Sequence, residues 1–527
     1  MYGLVFENQA AVVASAPNRA DIACFVGFVA RRTTSIPAEI MAWLDEQGWT
    51  TPPYQRAEPV ASLLDLPVPI DTWDVFDRLF AWDRRPLDEA GRVGASYLGA
   101  AIRSFFAQGG RKCYVVRVGD PWPLNAPRAA RLARIAKLIP GYPQSFDGSP
   151  VDRESWRGIG HLFGLPDVSF VCMPDLADAV ASDRLPIGPA EEPPAPPEQF
   201  VECSEPEPAP PPDRAARRVR APRCAAADYA DWARAIWLAT DLLIRPQQAP
   251  HLREIQLVAA TPLPEPESPA AQDLLGFLGA GGAGFLANSA NQERNGLASA
   301  FVQLVYPWIR TPGSVNLPEQ LESPDAAVVG MLARNALTRG TFRSAAGQHL
   351  ADVAEVWPTL QRDQMLQPHL DRLSRASEHR LLERVTLLGP TPQGLQMLSD
   401  VTTSLDESYR PASVNRLVSA IVRAARRLGE DIVFETSGEL LWARLRDSLN
   451  GLLGGLLQAG ALRGATPSEA FQVRCDRSTM SQNDIDNGRI VAEVRFDAAA
   501  PIEQITVVLA MNEGGQVSLI SSGQGAP

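Results

Sequence analysis

Two apolar patterns alternate along this chain: stripes at helical spacing, and short unbroken runs rich in β-branched residues. The stretch from Tyr97 to Asp120 holds both. Tyr97, Leu98, Ala101, Ile102, Phe105 and Phe106 fall at i, i+4 and i+8 and predict an amphipathic helix. Gly109 and Gly110 supply the positive-φ positions that end a helix at little cost. Cys113 to Val118 then predicts a short strand buried on both faces. Helix, glycine stop and buried strand make one unit of an α/β layer. On physics alone it is a core pair with no chemistry in it.

The pattern extends in both directions. The first residues alternate loosely and end in small residues and Pro17. Such a terminal strand either docks on its own sheet or is lent to another chain. Ile22 to Val29 reads as a buried strand containing Gly27, and residues 31–69 as a mixed, proline-bearing insertion. Asp71 or Thr72 is the expected N-cap of a helix carrying Trp73, Phe76 and Phe80. Val168 to Pro174 reads as a strand stopped by proline. Asp228 to Ile244 predicts an amphipathic helix with Tyr229, Trp232, Ile236, Trp237, Leu242 and Leu243, followed by a strand from Glu254 to Ala260. Helices alternating with short apolar runs argue for an α/β core.

Further on, a helix after Tyr409 is expected to carry Val418, Ile421, Val422 and Ala425 on one side, with Arg416, Arg423, Arg426 and Arg427 supplying its charge. A long helix is expected from Glu439 to Leu462, with Leu441, Leu445, Leu449, Leu452 and Leu456 in its seam. Arg444 and Asp447, three apart, can pair on its outer face, and Gly460 and Gly464 end it. Three late strands follow, "FQVRCD", "GRIVAEVRF" and "ITVVLAMN". In the second, Ile490, Ala492, Val494 and Phe496 share one face. The tail from Ser521 to Pro527 is expected to be disordered.

Composition narrows the functional classes. The 527 residues suggest roughly three domains. A net charge of −12 gives no global support to polyanion binding. No apolar run approaches a membrane span, and the N-terminus lacks a basic region and carries Glu7, unlike a secretory signal. The six cysteines form no CxxC pair, which fits free thiols in a reducing compartment and a cytoplasmic protein. Pro186 to Pro222 is proline-dense and reads as an exposed surface insertion. Gly279, Gly281 and Gly284 spell GxGxxG, but they follow a helix-like stretch where a dinucleotide site needs a strand, so a loop is the expected reading. There is no phosphate loop, nucleophile elbow or HExxH, and the five histidines lack ligand spacing. No active site, cofactor or metal is expected.

The wording of several stretches adds a family resemblance. Phe105-Phe106, two residues, Gly109-Gly110 and the strand "YVVRV" resemble contractile tail sheath proteins of phages and of extracellular contractile injection systems. The short run with Phe25-Val26-Gly27 and the strand ending Tyr306-Pro307-Trp308 are similar to sheath segments in the same order. So is the stretch from Ser323, with Gly330, Ala333, Arg334, Arg339, Gly340 and Phe342 at matching positions. Close helix packing explains Gly330 and Ala333, while Arg334 and Arg339 are either buried forks or solvated. Residues 370–400 depart from the family, and Ala81-Trp82 stands where sheaths usually have glycine after the phenylalanine.

The resemblance implies a multi-domain mixed α/β (α+β) tail-sheath fold. An N-terminal extended arm would span 1–20, an α/β outer body 21–400 with the insertion at 186–222, a C-terminal inner domain 401–500, and an arm strand with tail 501–527. It implies a non-enzymatic subunit that polymerises helically around an inner tube and contracts to drive that tube through a target envelope. Partners would be further copies of itself, the inner tube protein, and baseplate and cap proteins, without nucleic acid or membrane insertion. Leu4, Phe6, Val12, Ile505, Val507 and Leu509 would serve the inter-subunit arms, and Arg444, Arg446 and Asp447 would face the tube. The alternatives are a non-polymerising baseplate or cap component of the same fold and, remotely, a nucleotide-dependent enzyme using Gly279 to Gly284.

Overall fold

The computed structural model describes residues 19–51, 60–87, 92–183, 219–244, 249–266, 297–366, 369–370, 378–404, 406–431, 438–480, 482–483, 490–499, 508–511 and 517–520. Eight strands form one mixed sheet: β1 (Ala23–Gly27), β2 (Pro67–Ile70), β3 (Cys113–Arg117), β4 (Phe170–Cys172), β5 (Gln256–Ala260), β6 (Val302–Tyr306), β7 (Thr386–Thr391) and β8 (Gly394–Met397). Their spatial order is β2-β3-β1-β4-β5-β6-β7-β8. The six inner strands run parallel, and β2 and β8 close the ends antiparallel. The insertion at 31–69 thus contributes an edge strand, β2, and a helix, Ala38–Glu46. Residues 370–400, where the family resemblance lapses, supply the β7–β8 hairpin at the other edge.

Alternation along each strand splits the core between two faces. Phe25, Val115, Cys172 and Val258 point to one face, where they meet α1 (Tyr97–Ala107) and α3 (Asp325–Thr338). Cys24, Val116, Val171 and Leu257 point to the other, against α2 (Ala226–Ile244), whose Trp232 and Ile236 are fully buried. A sheet covered on both faces needs strands that are apolar throughout, and β1, β3 and β5 are buried at every position. Each fully buried large side chain here contributes roughly 1.5–3 kcal/mol relative to exposure.

The helix–stop–strand unit forms as its sequence requires. Ser96 Oγ accepts from the Gly99 amide and caps α1. At the far end Gly109, with φ 100°, donates to the Phe106 carbonyl, and Gly110 donates to that of Phe105. This is the paired bonding of a Schellman stop. Thr72 is the cap of the helix Trp73–Leu79. Gly330 lets α3 lie on α1, since a Cβ there would sit 2.4 Å from the Phe105 carbonyl oxygen.

The C-terminal part builds a smaller core of its own. α4 (Ala412–Asp431) and α5 (Glu439–Gln458) enclose Leu417, Ile421 and Leu453 with the strands β9 (Phe471–Arg474) and β10 (Glu493–Phe496). Three expectations change here. α5 stops at Gln458, because Gly460 takes φ 77° and Ala461 bonds back to Leu456. Its buried residues are Leu441, Trp442, Leu449 and Leu453, while Leu445, Leu452 and Leu456 are half-buried, so the seam is centred further round, toward Trp442 and Leu453. On α4 the apolar side is rotated: Val422 is exposed while Arg416 and Arg423 are buried. Two further strands, β11 (Val508–Met511) and β12 (Val517–Ile520), pair antiparallel.

Candidate assembly interface

Open α/β sheets place ligands at the carboxyl ends of the strands where chain direction switches sides. Here that point lies at β1, between β3 and β4, and it is filled. Arg85 donates to Asp178 at 2.6 Å and to the Trp122 carbonyl at 2.9 Å, and Trp122 Nε1 donates to Asp178 at 2.8 Å. All three residues are buried, and burial lowers the Arg85 guanidinium to about 10. Asp175 seals the adjacent turn by accepting from the Phe28 amide at 2.8 Å. The usual catalytic crevice of this architecture is a packed ion-pair plug. Among the described residues no group of three or more His, Cys, Asp or Glu is arranged to hold a metal. Cys24, Cys113, Cys172, Cys224 and Cys475 are free and buried, with thiols pushed up chiefly by burial. The glycines of the GxGxxG stretch lie outside the described residues.

Sheet edges are the next place to look for binding capacity. β2 presents Pro67 and Pro69. Lacking N–H groups, they leave the ladder to Val68 and Ile70, and an added strand would find no donor at either proline. β8 is covered: the Leu350 amide donates to the Leu395 carbonyl at 3.0 Å, and the Met397 amide to the Gln348 carbonyl at 3.1 Å. The body's sheet is therefore closed at both ends.

The β9–β10 hairpin is not. Among the described residues no third strand joins it. The Asp497 amide bonds to the Ala470 carbonyl, which makes 472–495 and 474–493 the hydrogen-bonded pairs. The backbone groups of Val473, Val494 and Phe496 consequently point outward, while their side chains pack on the small core. Gln472, Arg474 and Arg495 form the polar face.

The predicted site residues fall as follows. Leu4, Phe6, Val12, Ile505 and Val507 lie outside the described residues; Leu509 stands in β11, in register with Leu519. Arg444, Arg446 and Asp447 ride on α5, where Arg444 and Asp447 are exposed and Asp447 pairs with Arg446 at 3.6 Å. On the same helix Leu440 is 89% exposed, and Gly451, Gly454 and Gly455 have no neighbour that a Cβ would meet. Of the two arginines left open by sequence, Arg334 is half-buried and donates to the His349 carbonyl, and Arg339 is exposed.

Sequence reading missed the arginines that join α4 to the body. Arg416 forks onto Asp400 at 3.0 and 2.5 Å. Burial raises the Asp400 carboxyl, but the Arg416 charge and its hydrogen bonds outweigh that and hold it below the usual range. Arg423 and Arg426 both bind Glu254, at 2.9 and 2.7 Å. The loop after α3 completes the joint, inserting Phe342 into the small core. The available signal was the seven-residue spacing of Arg416 and Arg423, which puts both on one helix face.

No family model matches the chain, and no curated protein matches it. Solved structures do. One is a chain of the anti-feeding prophage (AFP) baseplate in the contracted state, with 17% identity, TM-score 0.58, and coverage of 97% of this chain and 98% of that one. Another belongs to an extracellular contractile injection system, the PVC sheath complex in the contracted state, with 16% identity, TM-score 0.52, and coverage of 98% and 99%. A third is the AFP helical sheath in the contracted state, at 17% identity and TM-score 0.52 over 97% and 98%. Identities this low speak to architecture alone, and the alignments cover 97% or 98% of this chain.

Proposed function

We propose that this chain, which has the fold of contractile sheath proteins, is a sheath subunit. It polymerises helically around an inner tube and contracts to drive that tube through a target envelope. The observation that carries this reading is a fold shared over 97% of the chain with the AFP helical sheath. The filled switch point supports a structural role without catalysis, since the crevice of an α/β enzyme is occupied by Arg85, Trp122 and Asp178.

A helical tube requires a head-to-tail interface that never closes on itself. Strand exchange supplies one. In this proposal the N-terminal arm, with Leu4, Phe6 and Val12, and the C-terminal strand, with Ile505, Val507 and Leu509, leave one subunit and add to the open edges of β9 and β10 in neighbours. Backbone pairing gives the strength, and the closed edges of the large sheet keep the exchange in one place. The C-terminal inner domain would contact the tube protein through α5, with Arg444, Arg446 and Asp447. Baseplate and cap proteins would meet the ends of the tube, and assembly would occur in the cytoplasm. A second reading, a baseplate component that does not polymerise, draws on the AFP baseplate match at TM-score 0.58.

Removing residues 1–14 tests the interface. The truncated chain is expected to keep its circular dichroism spectrum and sediment as a monomer, while the full chain forms tubes. Normal tubes from the truncated chain would rule the arm out.

A further inference from the structure

Arg423, on α4, grips the N-terminal end of the described chain, just ahead of β1. Its Nε donates to Glu254 at 2.9 Å, and its Nη2 to the Val168 carbonyl at 2.7 Å. Nη1 donates to Ser169 Oγ at 2.8 Å and to the carbonyl of Arg19. The side chain is buried, so these bonds form away from competing water. Arg426 holds the other Glu254 oxygen at 2.7 Å, so one buried carboxylate carries two guanidinium groups.

The gripped segment is fixed from three sides. Arg19 forks onto the fully buried Asp21 at 2.9 and 2.7 Å. The Ile22 carbonyl accepts from the Ser169 amide at 2.8 Å, just before the β1–β4 ladder begins at Ala23 and Phe170. The Arg19 carbonyl lies outside that ladder, and Arg423 is what engages it. On the same helix Leu417 and Ile421 sit in the small C-terminal core. Arg416, seven residues earlier, binds Asp400 and the Thr341 carbonyl and has no bond to residues 19–22.

We propose that Arg423 ties the root of the N-terminal arm to α4, making a single guanidinium the joint between arm, sheet and C-terminal unit. A pull on the arm then loads α4, and through it the C-terminal core, in addition to the sheet that the same segment enters at β1. The mechanical meaning rests on the sheath reading above; the tie itself does not.

Trypsin reads the joint on the unassembled 527-residue chain. Arg19 is the first arginine or lysine in the sequence, so cleavage after it releases residues 1–19 as one peptide. In the wild-type protein that cut is expected at least about tenfold slower than in a synthetic peptide of residues 14–24, as a buried charge-assisted hydrogen bond implies. Arg423→Lys keeps the charge opposite Glu254 but loses the fork that reaches the carbonyls. It is expected to speed the cut about tenfold with an unchanged circular dichroism spectrum. Arg416→Lys, on the same helix but away from the root, is expected to leave the rate near wild type. Equal rates in protein and peptide would overturn the proposal, as would an Arg416→Lys effect matching that of Arg423→Lys. If Arg423→Lys does not fold, the protein-against-peptide comparison still decides. Absence of tubes would sink the sheath reading and leave this result standing; loss of protection would do the reverse.

Discussion

The body sheet and the C-terminal hairpin are both made of β-strands, yet they are finished in opposite ways. β1, β3 and β5 are buried along their whole length between two helical layers. β9 alternates between half-buried and exposed positions, β10 is half-buried except at Arg495, and both pack on a handful of residues from α4 and α5. The body's edges end in prolines and a covering loop, whereas the hairpin's edges carry outward N–H and C=O groups. A sheet that has met its own hydrogen-bonding demand acts as a rigid unit. One that has not retains the capacity to bind strands. Among the described residues the hairpin's outer edges stay unpaired, and buried arginines on α4 tie the C-terminal part to the body.

Core truncations should separate the two regions most strongly. Phe105 lies at zero exposure, edge-on to Phe25 at 5.3 Å between sheet and α3. Phe105→Ala is expected to cost about 3–5 kcal/mol and to lower the main unfolding transition in a calorimeter. Leu453→Ala, in a core with few neighbours and room to collapse, is expected to cost about 2 kcal/mol. Hydrogen exchange should then quicken in residues 438–499 while α1 stays protected. Equal loss of protection in both regions would erase the distinction.

Proton binding offers a second contrast. Burial pushes Glu322 up to about 8, Asp175 to about 7 and Asp325 to about 6, against hydrogen bonds such as those from Ser104 and Thr311 to Glu322. Unfolded, these groups ionise near pH 4, so the folded body binds more protons from about pH 4 up to these raised values. Its stability therefore falls as pH rises through that window. Asp400, in the α4 joint, has the opposite sign: its contribution is present above about pH 4 and is lost as pH falls below it. Thermal melts at about pH 5.5 and 8.5 check this. Glu322→Gln cannot ionise, so its melting temperature should drop less between the two than that of the wild type. Identical drops would mean that Glu322 does not titrate in this range.

The smallest expected effect on stability concerns α5. Reversing Arg444 and Arg446 to Glu should change stability by no more than about 0.5 kcal/mol, since Arg444 is exposed and the Arg446 side chain is 43% exposed. Co-purification with the tube protein should nevertheless weaken. Unchanged co-purification would remove these residues from the tube contact.

Much of this was legible in the sequence where the signal is local. The α1 stripe, the Gly109-Gly110 stop and the strand after it depend on neighbouring residues, and all formed as read. So did the strands near Val168, Glu254 and Val302, whose short, mostly apolar and β-branched runs suit a layered sheet, with the buried Gln303 satisfied by Thr386 and Asp400. What depended on distant partners was not legible. Arg423 looks like surface charge until Glu254, 169 residues away, is brought beneath it. Val422 looks like a core residue until the arginines claim the buried face. The pairing of β11 with β12 was likewise hidden, since two short strands at a terminus do not announce whether they meet each other or another chain.

Negative-stain electron microscopy of the 527-residue chain, expressed alone and together with its candidate inner-tube protein, tests the central claim most directly. Long, wide, regularly striated tubes are the predicted result. A field of uniform single subunits, even with the tube protein present, would contradict the sheath assignment and favour a non-polymerising end component.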